Sequence, residues 1–72
     1  MTNLIFRFQE KQFNVRVNTN SKVFKEFKDW IEEHTGLSIQ PSQTAYTVSS
    51  ENRLRACRIK AKKLNLEASV IQ

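Results

Sequence analysis

Glycine, proline, cysteine and histidine, the residue types on which many special sites depend, occur once each in this sequence, as Gly36, Pro41, Cys57 and His34. A phosphate-cradling loop needs several glycines, so no P-loop or dinucleotide fingerprint can be formed. A zinc site needs about four Cys, His or acidic ligands at set spacings, and a disulfide needs two cysteines. We therefore expect no cofactor, no metal and a location in the reducing cytoplasm.

Long apolar runs are also missing from the sequence. The longest one near the N-terminus is Leu4-Ile5-Phe6. A membrane span requires about 20 apolar residues and a signal peptide requires an apolar core of roughly 7–15 residues. We expect a soluble protein with no signal peptide and no membrane partner.

The composition suits one small folded domain over residues 1–72. Hydrophobic residues make up 39% of the chain, aromatic residues 10% and charged residues 26%. These proportions permit a compact core and are not those of a disordered chain. The formal net charge of +5 favours anionic partners.

Two segments near the N-terminus alternate apolar and polar residues with the period of a β-strand, over residues 3–9 and 12–18. They predict a β-hairpin. With Glu10-Lys11 at the turn, Phe8 would face Phe13, Phe6 would face Val15 and Leu4 would face Val17. Because Glu-Lys lacks the Gly or Asn of a tight turn, a longer or bulged loop is the alternative.

The next segment predicts a helix over residues 22–35. Apolar residues follow one helical stripe that includes Phe27, Trp30 and Ile31, the capping side chains of Thr19-Asn20-Ser21 precede it, and Gly36 follows it. Residues 44–49 then have the composition of a third strand after a polar loop.

The C-terminal third of the chain permits two structures. Residues 52–64 are dominated by Arg, Leu, Ala and Lys, which favour a helix with Leu54, Cys57, Ala61 and Leu64 on its buried stripe. The alternative is a strand with Cys57, Ile59 and Ala61 facing inward. Residues 66–72 predict a short terminal strand. The whole pattern predicts an α+β fold, with a mixed sheet and a helix packed on one face.

Charge is the most informative feature of the sequence. Residues 1–51 contain six basic and six acidic residues, which cancel, whereas residues 52–72 contain six basic residues and only Glu67. Like charges repel one another, so an anionic partner would relieve their repulsion. The candidate binding residues are Arg53, Arg55, Arg58, Lys60, Lys62 and Lys63, with Arg7 and Arg16 of the hairpin as additional contacts.

Other reactive or aromatic side chains are better explained by packing than by chemistry. Cys57 and His34 could form a thiol–imidazole pair, but their spacing predicts a small core position and an apolar helical stripe. Trp30 and Tyr46 are expected in the core, although either could contact a partner. No pattern indicates a catalytic centre or a small-molecule substrate.

The order of elements resembles the ubiquitin-like β-grasp fold over residues 3–48. The resemblance rests on Thr19-Asn20-Ser21 before the helix, Gly36 after it, the loop over residues 37–43 and the strand over residues 44–48. It implies a binding platform. Residues 68–72 contain no Gly-Gly pair, so conjugation or sulfur carriage is not implied, and residues 53–65 are longer and more basic than the corresponding ubiquitin-like segment.

We therefore expect a non-enzymatic domain that contacts DNA or RNA through its basic C-terminal element. The alternative is a small protein-interaction module, an inhibitor or adaptor of the kind that phages and mobile elements encode, which docks on an acidic protein surface. The same six cations serve either partner.

Overall fold

The chain begins with two strands, after which helices and strands alternate, and the four strands form one mixed sheet. The computed structural model describes residues 2–40 and 42–71. Its elements are β1 (Thr2–Phe8), β2 (Lys11–Val17), α1 (Lys22–Thr35), β3 (Ala45–Thr47), α2 (Glu51–Lys63) and β4 (Glu67–Ile71).

The sheet has the strand order β3-β1-β2-β4. β1 pairs parallel with β3 and antiparallel with β2, and β2 pairs antiparallel with β4. The buried residues of α1 and α2 share one core with the buried face of the sheet, so both helices cover that face. The predicted α+β fold with a mixed sheet is confirmed.

The register of the β1–β2 hairpin differs from the predicted one. Phe6 lies opposite Phe13 and Leu4 opposite Val15, so the turn is Gln9-Glu10 and not Glu10-Lys11. A shift of two residues keeps every side chain on its face, so the apolar pattern alone could not exclude it. The two-residue loop forms because Gln9 adopts a positive φ of 56°.

The core is centred on Phe6. Its ring stacks on Phe13 with centroids 5.3 Å apart and on Tyr46 at 5.5 Å, and it meets Phe27 edge-on at 5.9 Å. Tyr46 is buried, as predicted, and its hydroxyl donates a hydrogen bond to the Gln43 carbonyl at 2.8 Å. These aromatic pairs hold β1 against both of its neighbours in the sheet, because Phe13 belongs to β2 and Tyr46 to β3.

The third strand is shorter than the predicted range of residues 44–49. Hydrogen bonds to β1 continue on either side of it, from the Ile5 N–H to the Thr44 carbonyl and from the Val48 N–H to the Arg7 carbonyl. The strand ends there because Ser50 turns to cap α2, and its hydroxyl accepts a hydrogen bond from the Arg53 N–H.

Residues 51–63 form a helix, which decides between the two structures that the sequence permitted. The helix begins and ends one residue earlier than the predicted range of residues 52–64. The Leu66 N–H bonds to the Ala61 carbonyl and the Asn65 N–H to the Lys62 carbonyl, which is the Schellman pattern. Asn65 has the left-handed φ of 60° that this reversal needs. The chain then enters β4 beside β2.

The last turn of α1 corrects one prediction. His34 is exposed instead of lying on the buried stripe, and its ring stacks on Trp30 with centroids 4.4 Å apart. Trp30 is half-buried and packs against the core. Gly36 ends the helix with a φ of 74°, as its position in the sequence predicted.

Neither α1 nor α2 has the length and apolarity that crossing a membrane would require, and residues 2–40 and 42–71 form no other helix.

Candidate nucleic-acid interface

All six cations of the C-terminal basic segment lie on α2. The helix buries Leu54, Cys57 and Ala61 against the sheet. Because a helix turns by about 100° per residue, this buried stripe leaves most of the circumference for charged side chains. Four of the six cations are exposed, namely Arg53, Arg55, Lys62 and Lys63. The other two, Arg58 and Lys60, are half-buried.

One flank of α2 carries a row of charges along the edge of the sheet. Arg55, Arg58 and Lys62 follow one another at helical spacing, so their side chains lie above one another. We call these three residues the groove-side stripe, because Arg55 and Arg58 border a groove between α2 and the strands β2 and β4. The stripe brings three cations within about two turns of one helix.

The opposite flank of α2 faces α1. There the Arg53 guanidinium donates a hydrogen bond to the backbone carbonyl of His34, with a nitrogen–oxygen distance of 3.1 Å. The last carbonyls of a helix have no partner within the helix, and a cation is favoured at that end. Arg53 therefore holds the end of α1, and this structural role distinguishes it from the other five cations.

Glu51, in the first turn of α2, is the carboxylate that meets the basic surface. It forms an ion pair with Lys11 at the start of β2 and lies 4.0 Å from the Arg55 guanidinium. The hydrogen bond and charge of Lys11, followed by the charge of Arg55, lower the pKa of Glu51 below its ordinary value of 4.5. At neutral pH Glu51 is ionised and offsets part of the positive potential.

The groove beside the stripe has a volume of about 190 Å³. Phe13, Leu54 and Val70 supply its apolar lining, and its charged rim consists of Lys11, Glu51, Arg55 and Arg58. The rim therefore has an excess of positive charge. The Nε atom of Arg58 is buried and has no hydrogen-bond partner among residues 2–40 and 42–71.

The hairpin arginines lie on a different surface. Side chains alternate along a strand, so Arg7, next to the buried Phe6, and Arg16, next to the buried Val15 and Val17, point to the face without helices. Arg16 also lies opposite Glu67 on β4. The eight predicted site residues thus divide between two faces of the sheet, and Arg7 and Arg16 do not join the α2 surface.

Cys57 and His34 do not form a catalytic pair. The Cys57 side chain is completely buried, and burial raises the pKa of its thiol to about 11. His34 is exposed on α1, and its Nδ1 atom lies 2.9 Å from the Trp30 carbonyl oxygen. A thiol that stays protonated and shielded from solvent is a packing group.

The groove contributes residues that sequence reasoning did not place at the site. Lys11 belongs to β2, far from α2 in sequence, and Val70 belongs to β4, the strand that follows α2. The pairing of β2 with β4 brings both strands to the flank of the helix. Ile59, exposed by 45%, lies on the outer face of α2 among cations. The exposure of Ile59 could have been predicted from the sequence, because on a helix this residue does not share the stripe of Leu54, Cys57 and Ala61.

Comparisons with models of protein families, with curated proteins and with solved structures find no match to this chain. The resemblance to the ubiquitin-like β-grasp fold stays a prediction.

Proposed function

We propose that this chain is a non-enzymatic binding domain that contacts nucleic acid through α2. One observation carries the proposal. Among the residues that the structure describes, Glu51 is the one carboxylate within 4.0 Å of an α2 cation, namely Arg55, and Lys11 already shares it. The remaining positive charge of the helix has no acidic neighbour in the described part of the fold and is open to a polyanion.

A phosphate backbone meets the requirements of this surface. Phosphates repeat along a strand and so can accept several cations of one helix at once, and their release of counterions favours binding. Arg55 and Arg58 can hold a phosphate with two parallel hydrogen bonds, whereas Lys62 and Lys63 act as point charges. Because binding is mainly electrostatic, affinity falls with salt, and neutralising about four phosphates gives a slope of log affinity against log salt of roughly −3 to −4.

Arg7 and Arg16 have a secondary place in this proposal. They lie on the opposite face of the sheet, and a strand bound along α2 does not reach them. We expect their removal to weaken binding only through the net charge of the domain.

The test is binding of fluorescent duplex DNA, single-stranded DNA and RNA at two salt concentrations. The variant Arg55→Ala/Arg58→Ala/Lys62→Ala removes the groove-side stripe. The matched control Lys22→Ala/Lys25→Ala/Lys28→Ala removes the same charge from α1.

We expect the first variant to bind at least tenfold more weakly and to show a shallower salt slope, by about one for each phosphate that is no longer neutralised. The control should bind almost as tightly as the wild type. Equal affinities for the two variants, both folded, would show that α2 is not the binding surface.

A protein partner with an acidic surface is the second candidate, and Ile59 is the observation that favours it. This apolar side chain, 45% exposed, lies one helical turn from both Arg55 and Lys63. An apolar anchor ringed by charges is typical of protein interfaces and has no role on a phosphate backbone. One stoichiometric protein retained after nuclease treatment by the wild type, but not by the charge-neutral variant Ile59→Ser, would support this candidate; an unchanged nucleic-acid affinity of Ile59→Ser would support the first.

We further propose that the domain acts in the cytoplasm. The sequence has a single cysteine and therefore no disulfide of its own. Detection of the tagged protein in cell fractions tests this location.

A further inference from the structure

The groove beside the groove-side stripe combines an apolar lining with a cationic rim. A surface that binds only phosphates needs the cations but not the apolar lining. The apolar lining of the groove includes Val70, which is 50% exposed although its neighbour Phe13 across the β2–β4 pair is only 2% exposed. Its rim places the guanidinium groups of Arg55 and Arg58 beside that lining. A ligand that covers both must join an apolar ring or chain to an anion.

The volume of the groove limits what can occupy it. About 190 Å³ is smaller than the range of roughly 300–1,000 Å³ that holds drug-sized ligands. One ring system fits this space, and a folded peptide segment does not. In a duplex the bases are stacked inside the helix, so a duplex bound through its phosphates would leave Val70 uncovered. An unpaired nucleotide presents its base and its phosphate together.

Arg58 supplies a second reason to expect a ligand with acceptor atoms. Its Nε atom is buried and unpartnered among the described residues, although buried donors in folded proteins nearly always have a partner. Because Arg58 lines the groove, a phosphate or a base carbonyl that enters there meets its guanidinium, and a small shift of the side chain would let Nε donate as well.

We propose that the groove holds one unpaired base of a single-stranded nucleic acid, while the adjoining phosphate contacts Arg55 and Arg58. This inference rests on the proposed function and narrows its ligand class from nucleic acid to single strands. The base lies against Val70 and Leu54, and the remaining phosphates follow α2 toward Lys62.

The experiment separates the base from the phosphates. A fluorescent oligothymidine strand is compared with a strand of the same length made of abasic sites, which carries the same number of phosphates. We expect the thymidine strand to bind roughly fivefold more tightly, because stacking on an aromatic side chain contributes about tenfold or more and the aliphatic Val70 and Leu54 contribute less than that. The variant Val70→Ser should bring the two strands within about twofold of each other. The control Ile59→Ser changes the other exposed apolar residue and should leave the difference intact.

Three results would overturn the groove proposal. Equal binding of both strands by wild type, with weaker binding by the groove-side stripe variant, would leave the proposed function standing and remove the groove from it. Binding of a fluorescent Asp-Leu peptide that depends on Val70, without any effect of bases, would assign the groove to an acidic peptide. Failure of both strands to bind at low salt would overturn the groove proposal, and failure of duplex DNA and RNA to bind as well would also reject the proposed function.

Discussion

The guanidinium of Arg53 lies 3.1 Å from the backbone carbonyl oxygen of His34, so that a residue of α2 closes the end of α1. The two residues are far apart in sequence, and the hydrogen bond joins the two helices on the covered face of the sheet. Among the residues that the structure describes, Arg53 is the one α2 cation whose side chain forms a hydrogen bond, which sets it apart from the other five.

Arg53→Ala should lower the free energy of unfolding, and it should weaken nucleic-acid binding less than Arg55→Ala does. The substitution removes one charged hydrogen bond at an exposed helix end, which is worth about 0.5–1 kcal/mol of unfolding free energy. Urea denaturation measures the decrease, and Lys63→Ala is the matched control, since that substitution removes the same charge with no interhelical bond. If Arg53→Ala reduces affinity as strongly as Arg55→Ala does, Arg53 belongs to the binding surface.

Glu51→Gln should strengthen nucleic-acid binding at neutral pH. The substitution removes the carboxylate that pairs with Lys11 and approaches Arg55, so both cations become available to phosphate. We expect affinity to rise by a small factor, roughly twofold at low salt, because solvent and salt screen an exposed charge pair. The control is Glu33→Gln on α1, which changes the net charge equally. Equal increases for the two variants would mean that only the net charge matters.

The same residue should make stability depend on pH in the acid range. Because the folded-state pKa of Glu51 is lowered below 4.5, its ion pairs contribute fully above that value. The contribution disappears as the pH falls further and the folded carboxylate becomes protonated. Urea denaturation of wild type and Glu51→Gln at pH 7 and pH 3 checks this: the difference between the two proteins should shrink at pH 3, and a constant difference would contradict it.

Gln9→Gly should stabilise the hairpin. Gln9 has a φ of 56°, which an L-residue with a side chain adopts at a cost of about 1–2 kcal/mol. Glycine avoids that cost but loses more entropy on folding, so the expected increase in unfolding free energy is about 0.5–1 kcal/mol, measured by urea denaturation. Glu10→Gly is the control, because its φ is not positive; a larger increase there would show that the turn has a different geometry.

Cys57 should make stability fall at high pH. The buried thiol has a pKa of about 11, against 9.0 for an accessible one, so between these values the folded protein keeps a proton that the unfolded chain loses. Unfolding is therefore favoured as the pH rises through this window. Urea denaturation at pH 8 and pH 10.5 should show a steeper decrease in stability for wild type than for Cys57→Ala. Rapid reaction of the folded thiol with a thiol reagent at pH 8 would contradict its burial.

Local sequence signals determined most elements of this fold but left residues 52–64 open between a helix and a strand. Alternation over the first two strands, the cap Ser21 and the terminating Gly36 are short-range patterns, and each acts on its own segment wherever that segment lies in space. The basic character of α2 could also be predicted, because charge is additive along the chain. The buried positions Leu54, Cys57 and Ala61 followed from helical periodicity once a helix was assumed.

Tertiary structure alone decided which side chains share a surface. The hairpin register was ambiguous by two residues, because such a shift keeps the same side chains on the same face, and the stacking of Phe6 on Phe13 and Tyr46 accompanies the register that formed. The sheet order then carried Val70 and Lys11 to the flank of α2 and left Arg7 on the other face. Long-range packing sets these positions, and no pattern within one segment contains them.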